Sequence, residues 1–363
     1  MSRQGMWIVL LLSLAMAFGL YLILHIMHQR LEEGILTTAP HANIEREIRM
    51  EKLKRIGNIS ATSTRPIWAR APYERFMTLC TMMRNEAKYV REWVEFHSLL
   101  GVDKFFIFDN DSKDSLEAAL NKTIANVSII QWPPVNWKEG NPHSRACQAF
   151  MDGTNLVEWA LADCQLAAFH ECVRNERGRS RWISTIYVDE FLLPRYDDEM
   201  QLQTLPEALA PYDHMHGVRL NSFTYGTSHY FVPIRDDELV IETHTIRGDE
   251  LSCEKEIVDP SKVETYPSVH YARYLDPVWN IPWMRDVPRQ HSTIRFNHYP
   301  LKSVQEAKHK GVKNLNPRIL QEIHKWDKLV DIEDPYLIPM VPLVRRRLAG
   351  EHVWVQPRAK KLH

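Results

Sequence analysis

The sequence predicts an α/β protein built on a doubly wound, mostly parallel sheet, with a mixed second half. Three observations predict it. From Phe76 onward, short apolar runs rich in β-branched and aromatic residues alternate with segments of helical period, a β-α-β-α-β progression. The helical run E-A-K-Y-V-R-E-W-V-E-F-H-S-L-L, residues 86–100, is followed at once by Gly101, the residue type that closes helices in a left-handed conformation. The run W-I-S-T-I-Y-V-D-E-F-L-L-P, residues 182–194, carries adjacent carboxylates, Asp189 and Glu190, at the expected exit of a buried strand. Pro194 cannot extend a central ladder, so this acidic pair belongs where a sheet opens to solvent, the place where open α/β sheets hold ligands.

Taken in order, residues 1–6 form a short tail and residues 7–27 an uncharged stretch rich in Leu, Ile, Val and Ala. About 20 apolar residues cross a bilayer as a helix, so a membrane anchor is expected there, with the bulk of the chain on the far side. The competing reading is a cleaved signal peptide. Its apolar region is usually roughly 7 to 15 residues long, and small residues are missing at the end of this stretch, although Ala17 and Gly19 keep that reading open. Residues 28–72 read as a polar stem with one charged helical segment, residues 44–56.

The folded part is expected over residues 73–345, as one domain. Its strands are F-M-T-L-C-T-M-M, K-F-F-I-F and V-S-I-I-Q-W, with a helix at residues 115–121 and a long helical tract at residues 145–175 before the strand that leaves at Asp189 and Glu190. Beyond Pro194, G-V-R-L-N-S-F-T-Y and E-L-V-I-E-T-H-T-I read as strands. Residues 346–363 read as a basic, solvated tail.

Composition is that of a folded globular protein, with 44% hydrophobic and 25% charged residues. A net charge of −1 gives no reason to expect nucleic acid as a partner. Five cysteines, Cys80, Cys147, Cys164, Cys172 and Cys253, suit an oxidising lumen without defining a disulfide scaffold, and Cys80, inside an apolar run, reads as a buried thiol. Asn58, Asn110, Asn121 and Asn126 each begin an N-x-S or N-x-T tripeptide, relevant if this part of the chain enters the secretory lumen.

Parallel strands deliver their C-terminal ends to one crevice. Asn85 and Glu86 follow the first strand and Asp109, Asn110 and Asp111 the second, so they face the same edge as Asp189 and Glu190. Carboxylates gathered there suit a hard cation such as Mg²⁺ or Mn²⁺, and such a cation suits a diphosphate. The plain alternative is turn chemistry, with Ser112 or Asp114 capping a helix.

The run from Arg84 to Ser112, R-N-E-A-K-Y-V-R-E-W-V-E-F-H-S-L-L-G-V-D-K-F-F-I-F-D-N-D-S, resembles the start of the glycosyltransferase family 92 domain. The resemblance continues in the same order through W-I-S-T-I-Y-V-D-E-F-L-L-P, Y-G-T-S-H, L-V-I-E, K-E-I-V-D-P-S-K-V and F-N-H-Y-P-L-K-S. It implies a GT-A fold, a nucleotide-sugar donor (UDP-galactose in related proteins), a glycan acceptor, a divalent cation and transfer with inversion. It also implies a single-pass type II protein of the Golgi or endoplasmic reticulum with a lumenal catalytic domain. Asp189 and His298 are the implied metal ligands. Asn85, Glu86, Asp109, Asp111, Tyr187, Lys255 and Lys302 are candidates to meet the donor. Glu190 and Glu242 are catalytic candidates, Glu242 ahead of Asp213 and Glu250 as the base that takes the acceptor's proton. One position departs from the family pattern: Tyr187 stands where the family's D-x-D-E-F has its first Asp. The alternative reading is therefore a GT-A-fold binding protein that has lost catalysis.

Overall fold

The structure, a computed structural model, describes residues 59–68, 72–134, 143–151, 160–196, 202–248, 254–281, 293–307 and 330–357. The expected anchor at residues 7–27 and most of the stem lie outside the described residues. Among the described residues no helix is long and apolar enough to cross a membrane.

Eight strands make the central sheet: β1 Arg75–Met83, β2 Lys104–Asp109, β3 Val127–Gln131, β4 Ser180–Thr185, β5 Glu190–Pro194, β6 Gly217–Thr224, β7 Glu254–Val258 and β8 Ile294–His298. Their spatial order is β3-β2-β1-β4-β7-β6-β8-β5. The first four run parallel. β7 is antiparallel to both β4 and β6, β8 is parallel to β6, and β5 closes the far edge antiparallel to β8. The α/β class thus holds, with an uninterrupted parallel run in one half of the sheet and mixed directions in the other.

Strand alternation sorts side chains onto two faces. Met77, Leu79 and Met83 of β1 and Phe105 and Ile107 of β2 face the helix α1, Ala87–Leu99, in one core. Cys80, Met82 and Phe108 face the opposite core. This second core is completed by Phe169, Cys172 and Val173 of a later helix, Ala160–Glu176. In α1, Trp93 is fully buried, worth roughly 2–3 kcal/mol of apolar transfer, and its indole donates to Glu190 O at 2.8 Å. His97 is buried too: Nδ1 meets Trp93 O at 2.8 Å and Nε2 accepts from Leu192 N at 3.0 Å, which uses both nitrogens of a neutral ring. Burial holds its pKa down at about 3. Gly101 ends the helix at φ +107°, where a Cβ would sit 2.8 Å from Pro206.

Several expectations are corrected. The strand expected to leave at Asp189 and Glu190 stops at Thr185, because Tyr187–Glu190 turn the chain, and Glu190 then opens a further strand, β5. The segment E-L-V-I-E-T-H-T-I carries a one-turn helix, Val240–Thr243, because the buried Glu92 carboxylate accepts from Val240 N at 2.9 Å and Ile241 N at 3.0 Å and caps the turn. The helical tract at 145–175 is two helices, Ser144–Met151 and Ala160–Glu176. Cys80 is no free thiol: it bonds Cys172, pinning β1 to the helix stacked on it, and Cys147 bonds Cys164 across the two helices. Cys253 lies outside the described residues.

The domain also reaches past 73–345 at both ends. Ala61–Thr62 pair antiparallel with Trp354–Val355, and Trp354 and Val355 are buried. Arg347, expected in a solvated tail, is fully buried and donates to Glu95 at 2.8 Å and Ser98 at 2.9 Å.

Candidate functional site

Strand direction brings one set of residues together. The C-terminal ends of β1, β2, β4, β6 and β8 share an edge with the starts of the antiparallel β5 and β7. Asp189 lies in the turn before β5, Glu190 opens β5, Lys255 is the second residue of β7, and His298 ends β8 in register with Glu190.

The turn is held by its own side chain. Glu190 N donates to Tyr187 O at 3.0 Å, and Glu190 Oε2 accepts from Tyr187 N at 2.6 Å. Tyr299 N donates to Asp189 O at 2.8 Å, fastening the turn to the end of β8. His298 Nε2 then stands 3.9 Å from Asp189 Oδ1 and 3.9 Å from Glu190 Oε1. Glu190 is fully buried; its Oε2 is 3.3 Å from the ammonium of Lys255, itself 1% exposed. Glu190 Oε1 is buried with no hydrogen-bond partner among the described residues.

Tyr187, at the departing position, is a packed aromatic. Its ring centroid lies 3.8 Å from the Lys255 ammonium, and its hydroxyl meets Gln165 Oε1 at 3.2 Å on the helix below. Lys255 also donates to Val269 O at 3.3 Å, so its charge is spent inside the protein. His270 belongs to no sequence motif that would mark it. Burial lowers its pKa, Lys255 lowers it further, Glu190 opposes with a raising effect, and His298 and Arg219 add to the lowering.

The other candidates form a second group. Asn85 Oδ1 accepts from Lys113 N at 2.7 Å, Ser112 Oγ from Asn85 N at 3.0 Å, and Asp114 from Ala87 N at 2.9 Å. Asp109 Oδ1 accepts from Ser112 N at 3.0 Å. Asp111 is exposed and pairs with Lys113 at 2.8 Å. Turn chemistry thus accounts for these contacts, and Asn110 is buried. Glu86 instead reaches the buried Lys302 at 2.9 Å, tying the first crossover loop to the loop after β8. Glu242 lies 2.5 Å from Arg345. Glu250 is outside the described residues.

Whether these residues suit a divalent cation turns on the donor set. Carboxylate oxygens and one imidazole suit Mn²⁺ or Mg²⁺, and the unpartnered Glu190 Oε1 faces the same imidazole. Among the described residues no three His, Cys, Asp or Glu side chains form a complete cage. The arrangement fits a cation that takes one or two protein ligands and its remaining oxygens from a phosphate substrate and water.

The family model for glycosyltransferase family 92 matches residues 75–328. Relatives include a glycosyltransferase family 92 protein of Ricinus communis, 32% identical over 123 residues, which are 33% of this chain and 17% of that protein. One from Oryza sativa subsp. japonica is 32% identical over 34% of this chain and 17% of its own length. The matched part is therefore under a fifth of these relatives. Among solved structures, glucosyl-3-phosphoglycerate synthase of Mycobacterium tuberculosis, with Mn²⁺, UDP and glucosyl-3-phosphoglycerate, is 18% identical at TM-score 0.25, covering 46% of this chain and 51% of that one. The Mn/GDP form of core-mannan synthase A from Aspergillus fumigatus is 8% identical at TM-score 0.26, covering 45% and 44%. Likenesses that slight do not bear on function.

Proposed function

The chain belongs to glycosyltransferase family 92, and on that premise we propose that it transfers a hexose, galactose, from a UDP-sugar to a glycan acceptor with inversion and the help of Mn²⁺ or Mg²⁺. The observation that carries this reading is the meeting of Asp189, Glu190 and His298 at one turn on the C-terminal edge of the sheet.

Asp189 and His298 are the residues to hold the cation, with the donor's diphosphate as its other ligand. Bound there, the cation would neutralise the negative charge that gathers on the departing nucleoside diphosphate. Glu190 keeps the turn closed through Tyr187 N and Lys255 balances its charge, while the Asp189 carboxylate, on the same turn, stands 3.9 Å from His298. The acceptor hydroxyl must lose a proton as the new bond forms; Glu242 is the residue to test for that step, although Arg345 now engages it. The two internal disulfides support a lumenal location in the Golgi or endoplasmic reticulum, behind the anchor expected at residues 7–27.

One observation favours a second reading. Tyr187 is committed to Gln165 and Lys255, so the first Asp of the family pattern is replaced by a structural residue, as in a fold kept for binding. The deciding experiment measures UDP release by the purified protein with Mn²⁺ and a panel of UDP-sugars, with and without glycan acceptors. Donor-dependent release that falls about a hundredfold or more in Asp189→Ala supports transfer. Release absent with every donor, and unchanged by Asp189→Ala, leaves the binding protein.

A further inference from the structure

The N-x-S/T tripeptides differ sharply once folded. A glycan is attached at the side-chain Nδ2, and in Asn110 that atom is buried and donates to Trp132 O at 3.3 Å. A sugar there would break this contact and open the core beneath Trp132. Asn126 is exposed, but its Oδ1 and Ser128 Oγ, the first and third residues of one tripeptide, both accept from Lys104 Nζ, at 2.8 and 2.7 Å. Asn121 is different: it is exposed, it is the C-cap of the helix Leu116–Leu120, and its side chain makes no hydrogen bond among the described residues. Thr123, the third residue of its tripeptide, is anchored to Glu95 Oε1 at 2.6 Å, so a glycan on Asn121 would stand on a firm base.

Its neighbourhood supplies a reason for one. The connection 121–126 leads into β3, the edge of the parallel half, whose outer side pairs with no described strand. Its V-S-I-I run has neither charge nor proline to deter pairing with another chain. The opposite edge strand, β5, is fully buried and has Leu192 N covered by His97.

We propose that Asn121 carries an N-linked glycan, standing beside the β3 edge whose outer side pairs with no described strand. The step requires the oligosaccharyl transferase of a secretory membrane and a lipid-linked oligosaccharide diphosphate. The anomeric carbon bonds to Nδ2, the sugar–phosphate bond breaks, Nδ2 loses one proton, and the lipid diphosphate leaves. The site rests on the lumenal placement proposed above and is independent of any transfer reaction.

The test expresses the full chain in a eukaryotic cell and treats microsomes with protease to report topology. Peptide N-glycosidase then converts each occupied Asn to Asp, read by peptide mass spectrometry. The expected result is protected protein with conversion at Asn121 and none at Asn110, and an Asn121→Gln variant that migrates one glycan lighter with unchanged thermal melting. Protected protein with Asn121 unconverted, or with Asn126 converted in its place, overturns the site; protein open to protease overturns both the site and the lumenal placement.

Discussion

The two halves of the sheet divide the work differently. In the parallel half, β3-β2-β1-β4, polar residues at the strand ends bond each other: Asn85, Asp109, Ser112 and Asp114 knit two loops together, and Asp111 pairs with Lys113 in solvent. In the mixed half, β7-β6-β8-β5, polar residues are drawn inside. Glu190 and Lys255 form a buried ion pair, with Asp189 and His298 at its rim. Regular topology built the first half from local turn chemistry. Reversals of strand direction built the second, and they set groups from distant parts of the chain on one turn.

The sharpest contrast is one substitution made in each half. Lys255→Met leaves Glu190 as an uncompensated buried charge and should cost about 3–5 kcal/mol in chemical denaturation, most of it recovered when Glu190→Gln is added. Next in size, Asp189→Ala should abolish Mn²⁺ uptake, followed by electron paramagnetic resonance, and slow UDP release about a hundredfold, near 3 kcal/mol in barrier. Asp111→Ala should leave both readouts unchanged, since its carboxylate is engaged with surface lysine; equal losses in the two variants would erase the contrast between the halves.

A third effect is set by pH. Burial pushes Glu92 up from 4.5 to about 7, against the opposing pull of the Ile241 and Val240 N–H groups. The folded protein then keeps a proton that the unfolded chain releases, so Glu92 contributes stability below about pH 4.5 that is lost as pH rises towards 7. Relative to Glu92→Gln, the wild type should lose on the order of 2–3 kcal/mol across that window, measured by denaturation at each pH. The Gln variant as reference removes the opposite slope expected from His97, whose lowered pKa takes stability away as pH falls below 6.5. Smallest of all, Lys113→Met should leave stability unchanged within the error of chemical denaturation, because Lys113 and Asp111 are both exposed and solvent screens the pair.

Much of the parallel half was legible from pattern. Short apolar runs located β1, β2 and β3 within a residue, and Gly101 marked a helix end as its chemistry requires; the cap of the helix Leu116–Leu120 is Ser115, which was read only as that helix's first residue. The acidic pair was legible too, but its setting was not. Hydrophobic content alone carried the strand as far as Asp189 and Glu190, whereas the carboxylate of Glu190 folds the chain back on Tyr187. The turn at Val240–Thr243 was missed for a similar reason, since its cap, Glu92, lies far away in the sequence. His270 had no local signal at all.

By itself the sequence determined the α/β class, the family and the presence of Asp189, Glu190 and His298 in recognisable segments, because periodicity and short motifs are local properties of a chain. Tertiary structure alone decided which of the acidic groups are turn residues and which are drawn together. It also decided that Tyr187 covers Lys255 and that Cys80 is bonded to Cys172. Those outcomes depend on burial and on strand order, which bring residues far apart in sequence within a few ångströms and make a charge costly unless another stands beside it.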